Sequence, residues 1–224
     1  MDSTEKKVLT IGYGGTLGYF SGDYPKYPLL SRLKTFFWNY RVNNVDYSTR
    51  SGYYLFSAIR ELKLNNPELA CCLNIRFWGS INIKNKEQVK NFGIDEIVKI
   101  EGYKEKRESL KLLEKSDILL LPLEIPRNGN EHLFIPGKLY EYLQMGKPVL
   151  VLGKPCDSVN ILRRSGLGII VDPHDRKSII RTLTDLIEKK CSIHSEYSPD
   201  WEYIYSNFHF QNLTKKFIDI FLEK

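Results

Sequence analysis

The stretch Ile135-Pro136-Gly137-Lys138-Leu139-Tyr140-Glu141-Tyr142-Leu143-Gln144-Met145-Gly146-Lys147-Pro148-Val149-Leu150 reads as the start of a helix, a glycine stop and a buried strand. Proline suits a first helical turn because its missing N–H would have found no intrahelical partner there. Gly146 then ends the helix, and Val149-Leu150-Val151-Leu152 follows as an apolar strand. The backbone N–H groups of Gly137 and Lys138, with the Lys138 ammonium, are left facing whatever lies in front of the helix, a natural seat for a phosphate. Glu141 falls one turn further in, where its carboxylate could hold neighbouring hydroxyls of a ribose. Helix–glycine–strand units occur in any α/β protein, however, and on spacing alone Glu141 reads as a solvated surface charge.

Working outward, strands and helices alternate, which argues for parallel βαβ units. Strands are expected at Val8–Ile11, Cys72–Trp78, Ile97–Ile100, Ile118–Leu121 closed by Pro122, Val149–Leu152 and Gly168–Val171. Helices are expected at Tyr53–Leu64, Lys86–Phe92, Glu105–Lys115, from Pro136, at Ser158–Arg164, Ser178–Lys189, Trp201–Phe208 and Gln211–Leu222. The fold class is therefore α/β, a single doubly wound parallel sheet with helices on both faces, in one domain spanning 1–224. Ligands of such sheets bind outside the carboxyl ends of the strands. The Gly12–Gly18 loop, the Gly102 loop and the loop before Pro136 all lie at such ends. Residues 24–44 fit the pattern poorly. Leu29, Leu30, Leu33, Phe36, Phe37 and Tyr40 follow helical spacing, with Arg32, Lys34 and Arg41 among them. This aromatic and basic segment predicts an extra packed helix; a contact with a second domain or with a membrane surface are the other readings.

The chain of 224 residues is long enough for one domain with a substantial core, and its 42% hydrophobic content excludes a disordered protein. No apolar run approaches the roughly 20 residues needed to cross a bilayer, and residues 1–7 contain no apolar signal core. The expected setting is cytoplasmic, including the inner face of a membrane. The net charge of +6 suits phosphate-bearing substrates, an anionic membrane or nucleic acid; the cations are scattered and no nucleic-acid module is present, so no nucleic-acid partner is expected. The four cysteines, Cys71, Cys72, Cys156 and Cys191, match no zinc or redox spacing and are expected to be small buried residues in a reducing compartment. No metal or resident cofactor is expected. Gly14 and Gly15 would let the backbone approach a diphosphate. Gly12, Gly14 and Gly18 do not have the dinucleotide spacing, which argues against a nicotinamide dehydrogenase.

The string from Pro136 to Leu150 resembles the donor-binding segment of GT-B glycosyltransferases, especially the retaining family 4 type of polysaccharide biosynthesis. The likeness extends to Leu9–Leu17, to Glu101-Gly102-Tyr103, to Leu112–Pro122 and to Gly166-Leu167-Gly168-Ile169-Ile170-Val171, in the same order. It implies the C-terminal, Rossmann-like half of a GT-B fold, with the acceptor-binding N-terminal domain absent. It implies an enzyme of glycosyl transfer that takes a UDP- or GDP-linked sugar and passes the sugar, with retention, to a glycan or lipid-linked acceptor. The chain alone would then turn over little. In the resembling family, positive side chains after the first strand neutralise the diphosphate, and Arg50 is the nearest equivalent. The base sits against the loop from Lys99 to Tyr103, and Tyr103 could stack on it. Lys138 and Gly137 would hold the leaving diphosphate, Glu141 the ribose, and His132 could touch the sugar or its phosphate. The first glutamate common in the family falls here at Leu133, which cannot do a carboxylate's work. A sugar-nucleotide 2-epimerase uses the same fold, and a non-enzymatic doubly wound scaffold is the rival outside enzymes. The scaffold of response-regulator type would need an acidic pocket at the strand ends, whereas Asp117 precedes its strand.

Overall fold

A computed structural model describes residues 8–23, 45–126 and 135–222. The segment 24–44 and His132 lie outside these residues. Six parallel strands form the main sheet: β1 (Leu9–Gly14), β3 (Leu73–Trp78), β4 (Val98–Ile100), β5 (Ile118–Pro122), β7 (Val149–Leu152) and β8 (Gly168–Val171), in the spatial order β4-β3-β1-β5-β7-β8. The chain starts mid-sheet at β1, builds outward through β3 to β4, crosses back to β5 and builds outward to β8. That order has its topological switch point between β1 and β5, where the helices leave on opposite faces and a crevice opens at the carboxyl ends.

The sequence dictates this arrangement through continuous apolar runs. Every residue of β5 and of β7 is buried, as strands covered on both faces must be. Alternate residues feed two cores. Ile118, Leu120, Leu150 and Leu152 pack with α1 (Tyr53–Asn65) and α7 (Arg176–Glu188). Leu119, Leu121, Val149 and Val151 pack on the other face with α5 (Gly137–Met145) and α6 (Asp157–Arg164). The remaining helices are α2 (Pro67–Ala70), α3 (Ile83–Asn91), α4 (Lys106–Glu114), α8 (Ile193–Glu196), α9 (Trp201–Phe208) and α10 (Phe210–Leu222).

Several boundaries differ from expectation. The first strand continues to Gly14, because Gly12 and Gly14 pair in register with Arg76 and Trp78 of β3; ladder pairing uses only backbone groups and asks nothing of the side chain. Pro136 is the residue before α5, with φ −67° and ψ 135°, and the helix begins at Gly137. Gly146 ends it in the left-handed region at φ 59°, and a side chain there would run into Trp201. The short helices α2 and α8 and a two-stranded antiparallel piece, β2 (Val45–Asp46) with β6 (Ile125–Pro126), carry no periodicity long enough to read. Of the cysteines only Cys156 is buried; Cys71 and Cys191 are exposed and Cys72 is half-buried. Cys71 caps α2 and Cys191 follows α7, both at surface turns.

Candidate functional site

The switch-point crevice is narrow and lined by Tyr13, Arg50, Pro122, Leu123, Glu124, Pro136 and Lys138. Four elements bring these residues together. The end of β1 supplies Tyr13 and the turn at Gly15, whose N–H donates to the Trp78 carbonyl at 2.8 Å. Gly15 has φ 142°, a conformation that side chains disfavour. A Cβ on it would stand 2.2 Å from Lys138 Nζ, so the room that the glycine leaves is taken by the lysine tip. At Gly14 the corresponding room is filled by the Trp78 indole, whose N–H donates to Ser109 Oγ at 2.7 Å.

Arg50 arrives on a 3-10 turn, Tyr47–Arg50, capped by the Asp46 carboxylate, which accepts from Ser48 N at 3.0 Å. Thr49, fully buried, donates its hydroxyl to the Leu123 carbonyl at 2.7 Å. The Arg50 guanidinium then meets the Glu124 carboxylate at 2.9 Å, just past the end of β5. Gly18 N–H donates to the Arg50 carbonyl at 3.2 Å. The loop after β1, the segment entering at Val45 and the segment leaving at Pro126 are thus laced together around Arg50.

Lys138 is the second residue of α5, and Pro136 offers that helix no side-chain cap. The first-turn N–H groups of Gly137 and Lys138 therefore face the crevice mouth without an intrahelical acceptor. Gly137 is exposed, with open space where a Cβ would stand. The Lys138 ammonium lies 4.5 Å from the centroid of the Tyr13 ring. Burial, and next the nearby Arg50 guanidinium, lower its pKa to about 8, while Glu141 opposes them. Tyr13 is buried, which raises its phenol to about 12, and its hydroxyl donates to the Thr16 carbonyl at 2.5 Å. Glu141 sits one turn along α5 and pairs with Lys106 at the start of α4. Two of the cations here have carboxylate partners, Arg50 with Glu124 and Lys106 with Glu141; among the described residues Lys138 has no ion-pair partner. One ammonium, placed on an aromatic face at a helix N-terminus, is left to answer an incoming anion.

Of the residues expected at a site, Gly15, Arg50, Gly137, Lys138 and Glu141 meet at this rim. Tyr103 stands on the adjacent rim, 80% exposed. Its neighbour Gly102 accepts from Gly79 N at 3.2 Å, and Gly79 has its backbone against Gly15. Tyr13, Glu124 and Lys106 join the site through the structure; a carboxylate two residues beyond a buried strand is the one signal in the sequence for Glu124. Asp117 lies at the opposite end of its strand, accepting from Thr10 N at 2.7 Å. Among the described residues no cluster of His, Cys, Asp and Glu is placed to hold a metal ion, and no helix is long and apolar enough to cross a membrane.

No protein-family model matches the chain, and no curated protein matches it. Solved structures do match in fold. The Anabaena protein HepE in complex with UDP and glucose is 12% identical with a TM-score of 0.59, over 97% of this chain and 49% of that one. A glycosyltransferase from Rickettsia africae is 14% identical with a TM-score of 0.60, over 96% and 48%. UDP-GlcNAc 2-epimerase from Neisseria meningitidis, bound to UDP-GlcNAc, is 15% identical with a TM-score of 0.53, over 98% and 45%. The chain therefore spans about half the length of the structures it matches, and its doubly wound α/β fold is the one expected of a GT-B half.

Proposed function

We propose that this chain is the donor-binding half of a glycosyltransferase and takes a UDP- or GDP-linked sugar at the β1–β5 switch point. The observation that carries the reading is the Lys138 ammonium, held without an ion-pair partner among the described residues, over Tyr13 and beside Arg50, at the open start of α5. The diphosphate would lie across the Gly15 turn, just beyond Gly14, and the first turn of α5. Lys138 and the free N–H groups would stabilise charge that grows on it as the sugar bond breaks. Glu141, released from Lys106, would accept from the ribose hydroxyls, and Tyr103 would stack on the base. The structural likeness to proteins complexed with UDP supports this reading. Retention, a glycan or lipid-linked acceptor held by a separate half, a role in polysaccharide or glycoconjugate synthesis, and action at the cytoplasmic face of a membrane belong to the same proposal.

Calorimetric titration with UDP, GDP and ADP tests it. UDP or GDP should bind in the parent chain and much more weakly in Lys138→Met. Absence of binding by all three, or equal binding by the variant, would end the proposal. The likeness to UDP-GlcNAc 2-epimerase favours a second reading, in which the same seat holds the donor while its sugar changes configuration. Inversion at C2 requires a bond at that carbon to break. Deuterium incorporation into UDP-GlcNAc from heavy water would favour the epimerase over the transferase.

A further inference from the structure

We propose that Tyr13 is the positioning residue of this anion seat: its ring face fixes the Lys138 ammonium over the Gly15 turn, and its hydroxyl holds that turn in shape through the Thr16 carbonyl. The inference rests on the reading of the crevice as a diphosphate site and names the residue that makes it one. A lysine near a crevice mouth ordinarily extends its charge into water, because the ammonium is strongly hydrated and its four-carbon stem is flexible. Here the tip turns inward and stands 4.5 Å from the ring centroid, within the range of a cation–π contact. The ring cannot follow the lysine outward. It is 3% exposed, it packs against Phe77 with centroids 5.7 Å apart, and its hydroxyl is spent on Thr16. Gly15 completes the device, since any side chain there would displace the ammonium.

The groups facing Lys138 come from every element around it. Arg50 from the 3-10 turn and Lys106 from α4 repel the ammonium, and Glu141 of its own helix attracts it. The two like charges would drive an unheld lysine tip away from the place where the phosphates must meet it. The aromatic face offsets that repulsion without introducing a carboxylate, which would compete with the anion for the same ammonium. A tyrosine or phenylalanine therefore does what an aspartate could not: it holds the cation while leaving its charge unspent.

Replacement by leucine would open a cavity in the core and confuse the two roles, so the test keeps the ring and changes its charge distribution. Tyr13→Phe and a variant carrying pentafluorophenylalanine at position 13 both keep an aromatic ring there, and thermal unfolding is the check that both are folded under the conditions of the titration. Fluorination reverses the electron-rich face that attracts the ammonium. In the ligand-free protein the Lys138 side chain, followed by NMR with labelled lysine, should titrate at lower pH in the fluorinated variant than in Tyr13→Phe. The UDP dissociation constant should rise roughly threefold to thirtyfold between the two. In a Lys138→Met background the fluorine should leave UDP affinity unchanged, whereas a general structural role would weaken both backgrounds alike. Identical Lys138 titration in the two ring variants would overturn the proposal. If the titration moves with the ring while the parent binds no nucleotide, the positioning role of Tyr13 stands and only the nucleotide reading falls.

Discussion

The switch-point rim and the carboxy-terminal helix α10 are opposites in construction. At the rim, short irregular segments are pinned by side-chain hydrogen bonds, Thr49 to Leu123 and Tyr13 to Thr16, and nearly every charge has a partner. The helix α10 is regular over Phe210–Leu222, yet none of its residues is buried, and Phe217, Phe221 and Ile220 are each more than 60% exposed. It touches the body through α9, which buries Ile204 and lays Phe208 5.8 Å from Tyr140 of α5. The contrast teaches that regular secondary structure and a finished site are separate achievements. The rim is complete in geometry with one charge left unanswered; α10 has its amphipathic pattern and no surface within the described residues to bury it.

The difference can be broken or sharpened by experiment. Lys138→Met should have the largest effect on the rim. Losing a charge-assisted contact costs about 1.5–3 kcal/mol, so the UDP dissociation constant should rise roughly tenfold to hundredfold. The unfolding temperature should not fall, because methionine fills the same space without a desolvated charge. Calorimetry beside thermal denaturation reads both, and a large loss of stability would place Lys138 among structural residues.

Glu141→Ala comes next, with a rise of roughly tenfold for UDP. The 2′,3′-dideoxy analogue should bind parent and variant alike. Unchanged affinity for the normal nucleotide would remove the ribose role.

A smaller effect follows from pH. Burial and Arg50 hold the Lys138 ammonium near a pKa of about 8, and a phosphate bound against it raises that value again. Affinity should therefore be full below about pH 8 and fall as pH rises above it, by at most about tenfold per unit, since one proton is involved. In the ligand-free chain the sign is reversed: the unfolded lysine binds its proton more tightly, so this group adds stability as pH rises from about 8 toward 10.5. Lys138→Met should flatten both profiles.

The least effect belongs to α10. Phe217→Asp should leave UDP affinity and the unfolding temperature within error, because exposed substitutions cost under about 0.5 kcal/mol. A drop of several degrees would mean that α10 is packed in solution and would erase the contrast.

Much of this architecture was readable from sequence for a specific reason. The runs Ile118–Leu121 and Val149–Leu152 are too apolar to be anything but central strands, and Gly146 at φ 59° ends α5 where a glycine stop belongs. The glycine-rich end of β1 reads as loop in the sequence because glycine hides the alternation that marks a strand, although the register with β3 continues through Gly14. At the rim, Lys138 and Glu141 could be named from helix position and charge, and Arg50 only through the family resemblance. Their partners could not. Tyr13 under Lys138 and Glu124 on Arg50 are contacts between residues far apart in the chain, and no local pattern encodes them. The same holds for β2 and β6, two residues each, joined by Asp46 opposite Ile125.

The lacing around Arg50 has a consequence for how the charge beside the crevice responds to damage. Gly18 bridges Ser51 and its N–H donates to the Arg50 carbonyl at 3.2 Å, Thr49 donates to the Leu123 carbonyl at 2.7 Å, and Glu124 meets the guanidinium at 2.9 Å. Backbone, neighbouring side chain and guanidinium are thus fastened separately, to two different segments of the chain. Removing the Glu124 carboxylate would free the tip of the arginine and leave its backbone anchored, so the position of the residue and the direction of its charge are fixed by independent contacts.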